Sequence, residues 1–132
     1  MSRRSSTDAL RLELRRGTLV LAVLGALRVE HYGYTLRGVL AGYGIDIDEG
    51  ALYPMLRRLE SQGLLRSQWR DTESRRKRFY RLTAAGAEAL AELEGEWSEL
   101  NASLRRLLKE VDDGENRALS EEGRGRPAAR RP

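Results

Sequence analysis

A chain of 132 residues, a third of them charged and with a net charge of +4, has room for one compact domain and an appended helix. The lack of cysteine removes disulfides, thiolate metal sites and cysteine nucleophiles, and the single histidine, His31, cannot build a metal cluster. With no phosphate loop in the sequence either, neither an enzyme nor a cofactor is expected.

The chain starts with a polar stretch, Ser2 to Asp8, read as part of a flexible arm over residues 1–9, with Asp8 as the N-cap of the first helix. That helix is expected from about Leu10 to Leu27, its second half apolar on nearly every side and so buried on more than one. Its longest apolar run, Leu19 to Leu24 followed by Gly25, Ala26 and Leu27, falls short of the ~20 residues that cross a bilayer. Glu13 and the continuing helical period argue against a signal peptide, so a cytoplasmic protein without membrane contact is expected. His31 reads as a helix-boundary residue. Leu36, Val39 and Leu40 place a short second helix from Gly33, and Gly42-Tyr43-Gly44 ends it with residues tolerant of positive φ.

Asp48 can offer its carboxylate to the first amides of a third helix, Glu49 to Gln62, which Gly63 closes. Successive helical side chains lie about 100° apart, so Leu52, Met55, Leu56 and Leu59 fall on one side. The other side presents Gly50, Pro54, Arg57 and Ser61, with Tyr53 and Arg58 on its flanks. Pro54 cannot donate to the Gly50 carbonyl, which either loosens the helix start or places that start later. A small, low-relief surface near a helix N-terminus lets its backbone approach DNA closely.

Leu64 to Trp69 and Lys77 to Leu82 carry strand patterning around Asp71-Thr72-Glu73-Ser74, which predicts a hairpin with the basic run Ser74 to Arg78 near its turn. Arg78, Tyr80 and Leu82 should share one face, Tyr80 and Leu82 toward the core, with Lys77, Phe79 and Arg81 on the other. From Arg66 to Arg81 seven bases stand against two acids, a surplus of five that exceeds the charge of the whole chain. Such a concentration attracts polyanions, although a solvated basic hairpin is the plain alternative.

Thr83 should cap the last helix, whose apolar positions Leu90, Leu93, Trp97, Leu100, Leu104, Leu107 and Val111 repeat at alternating spacings of 3 and 4. That heptad seam suits left-handed packing on another helix, a partner's or the chain's own first. Past Asp112-Asp113-Gly114 the chain turns polar and ends in an arginine- and glycine-rich stretch, read as a disordered tail. The expected division is therefore an arm at 1–9, a winged helix-turn-helix at 10–82, a dimerisation helix at 83–111 and a tail at 112–132. The fold class is mainly α, with a two-stranded β-wing.

Tyr32-Gly33-Tyr34, the run Glu49 to Glu60, Gly63-Leu64-Leu65 and Arg76 to Thr83 followed by Gly86 together resemble the PadR family of bacterial transcriptional regulators, over roughly Leu14 to Leu108. The tyrosine-proline pair inside the third helix, with the tyrosine-arginine-leucine-threonine strand end, makes the combination specific. The resemblance implies a homodimer joined by the last helix with help from the first, Leu19 included, that binds an inverted-repeat operator on double-stranded DNA and usually represses. It also implies, for some members, an aromatic small-molecule effector near the interface, for which Trp97 is a candidate platform, although its place in the heptad seam favours plain dimer packing. Ala51 departs from the family in standing where a small hydroxyl residue is common.

The expected DNA contacts are Gly50, Ala51, Tyr53, Pro54, Arg57 and Arg58 from the third helix and Arg75, Arg76, Lys77 and Arg78 from the wing. Two rivals stand beside this reading: a winged helix that binds another protein, and an architectural binder without sequence preference.

Overall fold

The computed structural model describes residues 3–122. It runs α1 (Arg3–Ala26), β1 (His31–Tyr32), α2 (Gly33–Gly42), α3 (Glu49–Ser61), β2 (Leu65–Thr72), β3 (Arg75–Leu82) and α4 (Ala84–Glu122). Residues up to Glu94 form one compact unit and those from Gly95 a second.

In the first unit, Val23, Leu24 and Leu27 of α1, Leu36 of α2, and Leu52 and Leu56 of α3 are fully buried, joined by Leu40, Ile47, Leu59, Leu65 and Tyr80. The second half of α1 is surrounded as its all-round apolar pattern requires, with Leu19, Val20, Ala22 and Ala26 packed around that core. Asp48 caps α3 by accepting the Ala51 amide at 2.7 Å. Since the helix does begin at Glu49, Pro54 lies inside it and not in its first turn. Gly44 and Gly63, at φ of 78° and 80°, make the left-handed turns after α2 and α3.

The two strands of the wing, β2 and β3, form as expected, and a third strand that the sequence did not suggest joins their sheet in the order β1-β3-β2, antiparallel throughout. His31 and Tyr32 pair with Tyr80 and Phe79, so His31 is a strand residue. The wing strands are also longer than expected. They close over Glu73-Ser74, with Glu73 at φ 54°, so Arg75 to Arg78 lie in β3 and outside the turn.

Directly opposed residues share a face. One face therefore carries Leu65, Ser67, Trp69 and Asp71 opposite Leu82, Tyr80, Arg78 and Arg76; the other carries Arg66, Gln68, Arg70 and Thr72 opposite Arg81, Phe79, Lys77 and Arg75. The first face meets the core through Leu65 and Tyr80.

Thr83 caps α4, its hydroxyl accepting the Gly86 amide at 3.0 Å and donating to the Gly63 carbonyl at 2.6 Å. Gly86 is buried there, and a Cβ on it would overlap the Leu64 carbonyl oxygen.

Both helix ends differ from the sequence reading. α1 begins at Arg3, and Asp8, expected as its cap, lies inside the helix 3.8 Å from Arg11 one turn on. No glycine or proline interrupts residues 3–16, and a polar composition alone does not break a helix. α4 likewise continues through Asp113 and Gly114 to Glu122. One helical glycine costs roughly 1 kcal/mol relative to alanine, and Arg117, Ala118 and Leu119 beyond it are helix-compatible. The rest of the expected tail, 123–132, lies outside the described residues.

Candidate nucleic-acid interface

Three contacts besides the Asp48 cap fix α3 within the domain. Arg37 of α2 donates to the Ile47 carbonyl at 3.1 Å and to Glu49 at 3.2 Å, tying down the turn that starts the helix. Gly33 lies against the Tyr53 ring so closely that a Cβ there would overlap the hydroxyl. Near the other end, Glu60 accepts the Ser67 hydroxyl at 2.6 Å and an Arg78 guanidinium nitrogen at 2.9 Å, while Arg78 Nε donates to Ser67 at 2.8 Å. That closed triangle joins α3 to the wing.

These contacts leave free the side of α3 away from its buried leucines. Gly50, Ala51, Pro54, Arg57 and Arg58 are exposed, and among the described residues neither arginine makes an ion pair within 4.0 Å. Tyr53, expected on the DNA backbone, is half-buried, with its ring against Gly33 and the core.

The wing cations, expected as one group, are divided by strand alternation. Arg78 is half-buried and committed to Glu60 and Ser67, which makes it a brace more than a free hand for phosphate. Arg76, on the same face, lies over the Trp69 ring at 5.2 Å. Arg75 and Lys77 belong to the other face, where Lys77 sits 4.5 Å above the Tyr32 ring. That face also holds an open depression lined by Glu30, Arg66, Gln68, Arg70, Phe79 and Arg81. There the Arg70 guanidinium forks onto Glu30 at 2.6 and 2.7 Å. Its hydrogen bonds hold the Glu30 carboxyl below the ordinary value, with help from the charges of Arg70, Arg81 and Arg66 and against partial burial. Burial pushes the Tyr80 phenol up, countered by Arg78 and Arg57, so Arg57 lies within electrostatic reach of the joint between α3 and β3.

Sequence reasoning passed over Trp69, Glu60 and Arg37. The last two act on residues 18 and 12 positions away, beyond any local pattern. Trp69 was discoverable, as a large aromatic in strand alternation with Ser67 and Asp71.

Of the expected interface residues, Leu19 and Leu90 are half-buried and already pack against the domain core. Leu93 and Trp97 are exposed at 40% and 45%, and Leu100, Leu104 and Leu107 at more than half. Among the described residues no helix is long and apolar enough to cross a membrane, and no cluster of histidine, aspartate and glutamate suits a metal ion.

Known proteins share this fold. The model of the transcriptional regulator PadR-like family matches residues 20–92. The transcriptional regulator Rv3488 of Mycobacterium tuberculosis is 36% identical over 105 residues, covering 79% of this chain and 92% of that protein. A PadR family transcriptional regulator from Eggerthella lenta has a solved structure 46% identical in sequence, with a TM-score of 0.76 over 80% of this chain and 94% of that one. A PadR-like regulator from Bacillus cereus is 26% identical, with a TM-score of 0.66 over 73% and 96% of the two chains. The chain is thus a DNA-binding transcriptional regulator and not an enzyme, and it belongs to the PadR-like family.

Proposed function

We propose that this regulator works in the cytoplasm as a homodimer that sets two copies of α3 into successive major grooves of an inverted-repeat operator and represses transcription there. The observation that carries the reading is the exposed strip Gly50, Pro54, Arg57 on a helix whose leucine side is fully buried and whose two ends are braced. Gly50, Ala51 and Pro54 keep the helix start low enough for close approach, and Arg57 and Arg58 have no competing carboxylate among the described residues. In this arrangement Arg57 takes a guanine edge, a bidentate contact worth roughly 1 to 3 kcal/mol of discrimination. Arg58, Arg75 and Arg76 neutralise phosphates, which adds affinity without sequence preference. The exposed seam of α4 supports the dimer, and half-exposed Trp97 within it is where an aromatic effector would stack to change the spacing of the two reading helices.

A footprint at near-physiological salt on the DNA upstream of the protein's own gene tests this. The expected pattern is two symmetric protected half-sites spaced by about one helical turn or a multiple of it, with Arg57→Ala relaxing the sequence preference. Uniform protection would favour an architectural binder, and no protection with a captured protein partner would favour an interaction module; either result displaces the proposal.

A further inference from the structure

Resting on that DNA-binding reading, we infer that Trp69 and Arg76 together form the wing's contact with the operator backbone, the indole packing on a deoxyribose while the guanidinium holds the adjoining phosphate. Glu60 bonds Ser67 and Arg78 on the inner face of the hairpin, and Arg57, three residues before Glu60, lies on the same flank of the helix. The wing therefore leaves the domain on the Arg57 side of the reading helix.

Moving outward along β2 on that face, Leu65 is buried in the core and Ser67 is half-buried against Glu60. Trp69 comes next and is 51% exposed. A single exposed aromatic is ordinary on a protein surface; what sets Trp69 apart is the pair of guanidinium groups held at its ring.

Its neighbours state the partner's chemistry. Guanidinium groups from Arg76 and Arg78 stand 5.2 and 5.5 Å from the indole ring. Arg78 is neutralised by Glu60, whereas Arg76 has no ion pair within 4.0 Å among the described residues. Asp71, directly opposite Arg76 in the ladder, makes no ion pair with it within 4.0 Å. What remains is a flat apolar plate beside one cation whose guanidinium is free of any ion pair within 4.0 Å among the described residues and is preordered by the ring beneath it. An apolar sugar next to an anionic phosphate is the repeating unit of a DNA strand. An apolar protein patch would leave Arg76 unpaired.

Fluorotryptophan incorporated into the full chain gives separate fluorine NMR signals for Trp69 and Trp97, assigned with Trp69→Phe. The probe is the duplex protected in the footprint, its binding followed in parallel by fluorescence anisotropy. On saturation the Trp69 signal should move and lose its solvent isotope shift. Trp69→Ala should weaken binding about tenfold for every sequence tested, with Trp69→Phe restoring most of it. Saturable anisotropy with an unchanged Trp69 signal and isotope shift overturns this contact while leaving the DNA-binding reading intact. Loss of the isotope shift with protein concentration alone assigns Trp69 to a contact between copies and also overturns it. No anisotropy change with any duplex removes the DNA-binding reading and this contact together.

Discussion

Helices α3 and α4 both carry leucines at helical spacing, yet they meet different surroundings. In α3, Leu52 and Leu56 are fully buried and Leu59 nearly so; in α4, Leu100, Leu104 and Leu107 are 58%, 52% and 56% exposed. Burying a leucine is worth roughly 1.5 to 3 kcal/mol over leaving it in water. Within the chain α3 gains that energy and most of the α4 seam does not. Their polar sides differ as well: α3 shows Arg57 and Arg58, whereas α4 shows Glu88, Glu92, Glu96 and Glu99. An acidic helix surface repels phosphate, which supports the proposal that α3 meets DNA and α4 another protein chain. A leucine stripe alone therefore identifies an interface; the charges around it say what kind.

The contrast breaks most severely if the seam itself is charged. Leu100→Asp with Leu104→Asp should raise the dimer dissociation constant at least about a thousandfold, roughly 4 kcal/mol, and take operator affinity with it. Circular dichroism of the same variant should still show the folded helical domain. A smaller effect separates the two helices directly. Leu56→Ala should lower folding stability by about 2 to 5 kcal/mol in urea titrations at any protein concentration. The cost of Leu107→Ala should instead vary with concentration, because the proposed dimer places its contacts between chains.

Gly86→Ala probes the place where α4 starts on the domain. Its Cβ would meet the Leu64 carbonyl oxygen, and backbone cannot swing aside, so about 1 to 3 kcal/mol should be lost in thermal or urea unfolding. The smallest effect concerns the outer wing face. Glu30 has its carboxyl held below the ordinary value of 4.5, chiefly by the Arg70 fork, so its contribution is complete above about pH 4.5 and disappears as pH falls through the lowered native value. Acid unfolding of Glu30→Gln should therefore be shallower below pH 4.5 than that of the unaltered chain. Identical acid limbs would remove Glu30 from the pH response.

Much of α3 was legible because its determinants are local: the Asp48 carboxylate three residues before the Ala51 amide, a leucine stripe with one period, and Gly63 after the last turn. Thr83 and the strand alternation from Arg78 to Leu82 were readable for the same reason. β1 escaped because two residues have no period, and its strand identity comes from Phe79 and Tyr80 far along the chain. The reach of α1 and α4 escaped because residues such as Ser5, Thr7 and Asp113 are compatible with helix or coil. Within the site, composition made Arg75 to Arg78 look like one cationic group. Pairing register split them between two faces, and Glu60 took Arg78 out of the free set.

Sedimentation equilibrium of the unaltered protein over about 1 to 100 μM is the most direct test that the α4 seam, unlike the α3 stripe, is completed by a second copy. The account predicts twice the chain mass across that range, collapsing to the single-chain mass in the Leu100→Asp, Leu104→Asp variant. A single-chain mass for the unaltered protein at the highest concentration, with full operator affinity, would contradict it.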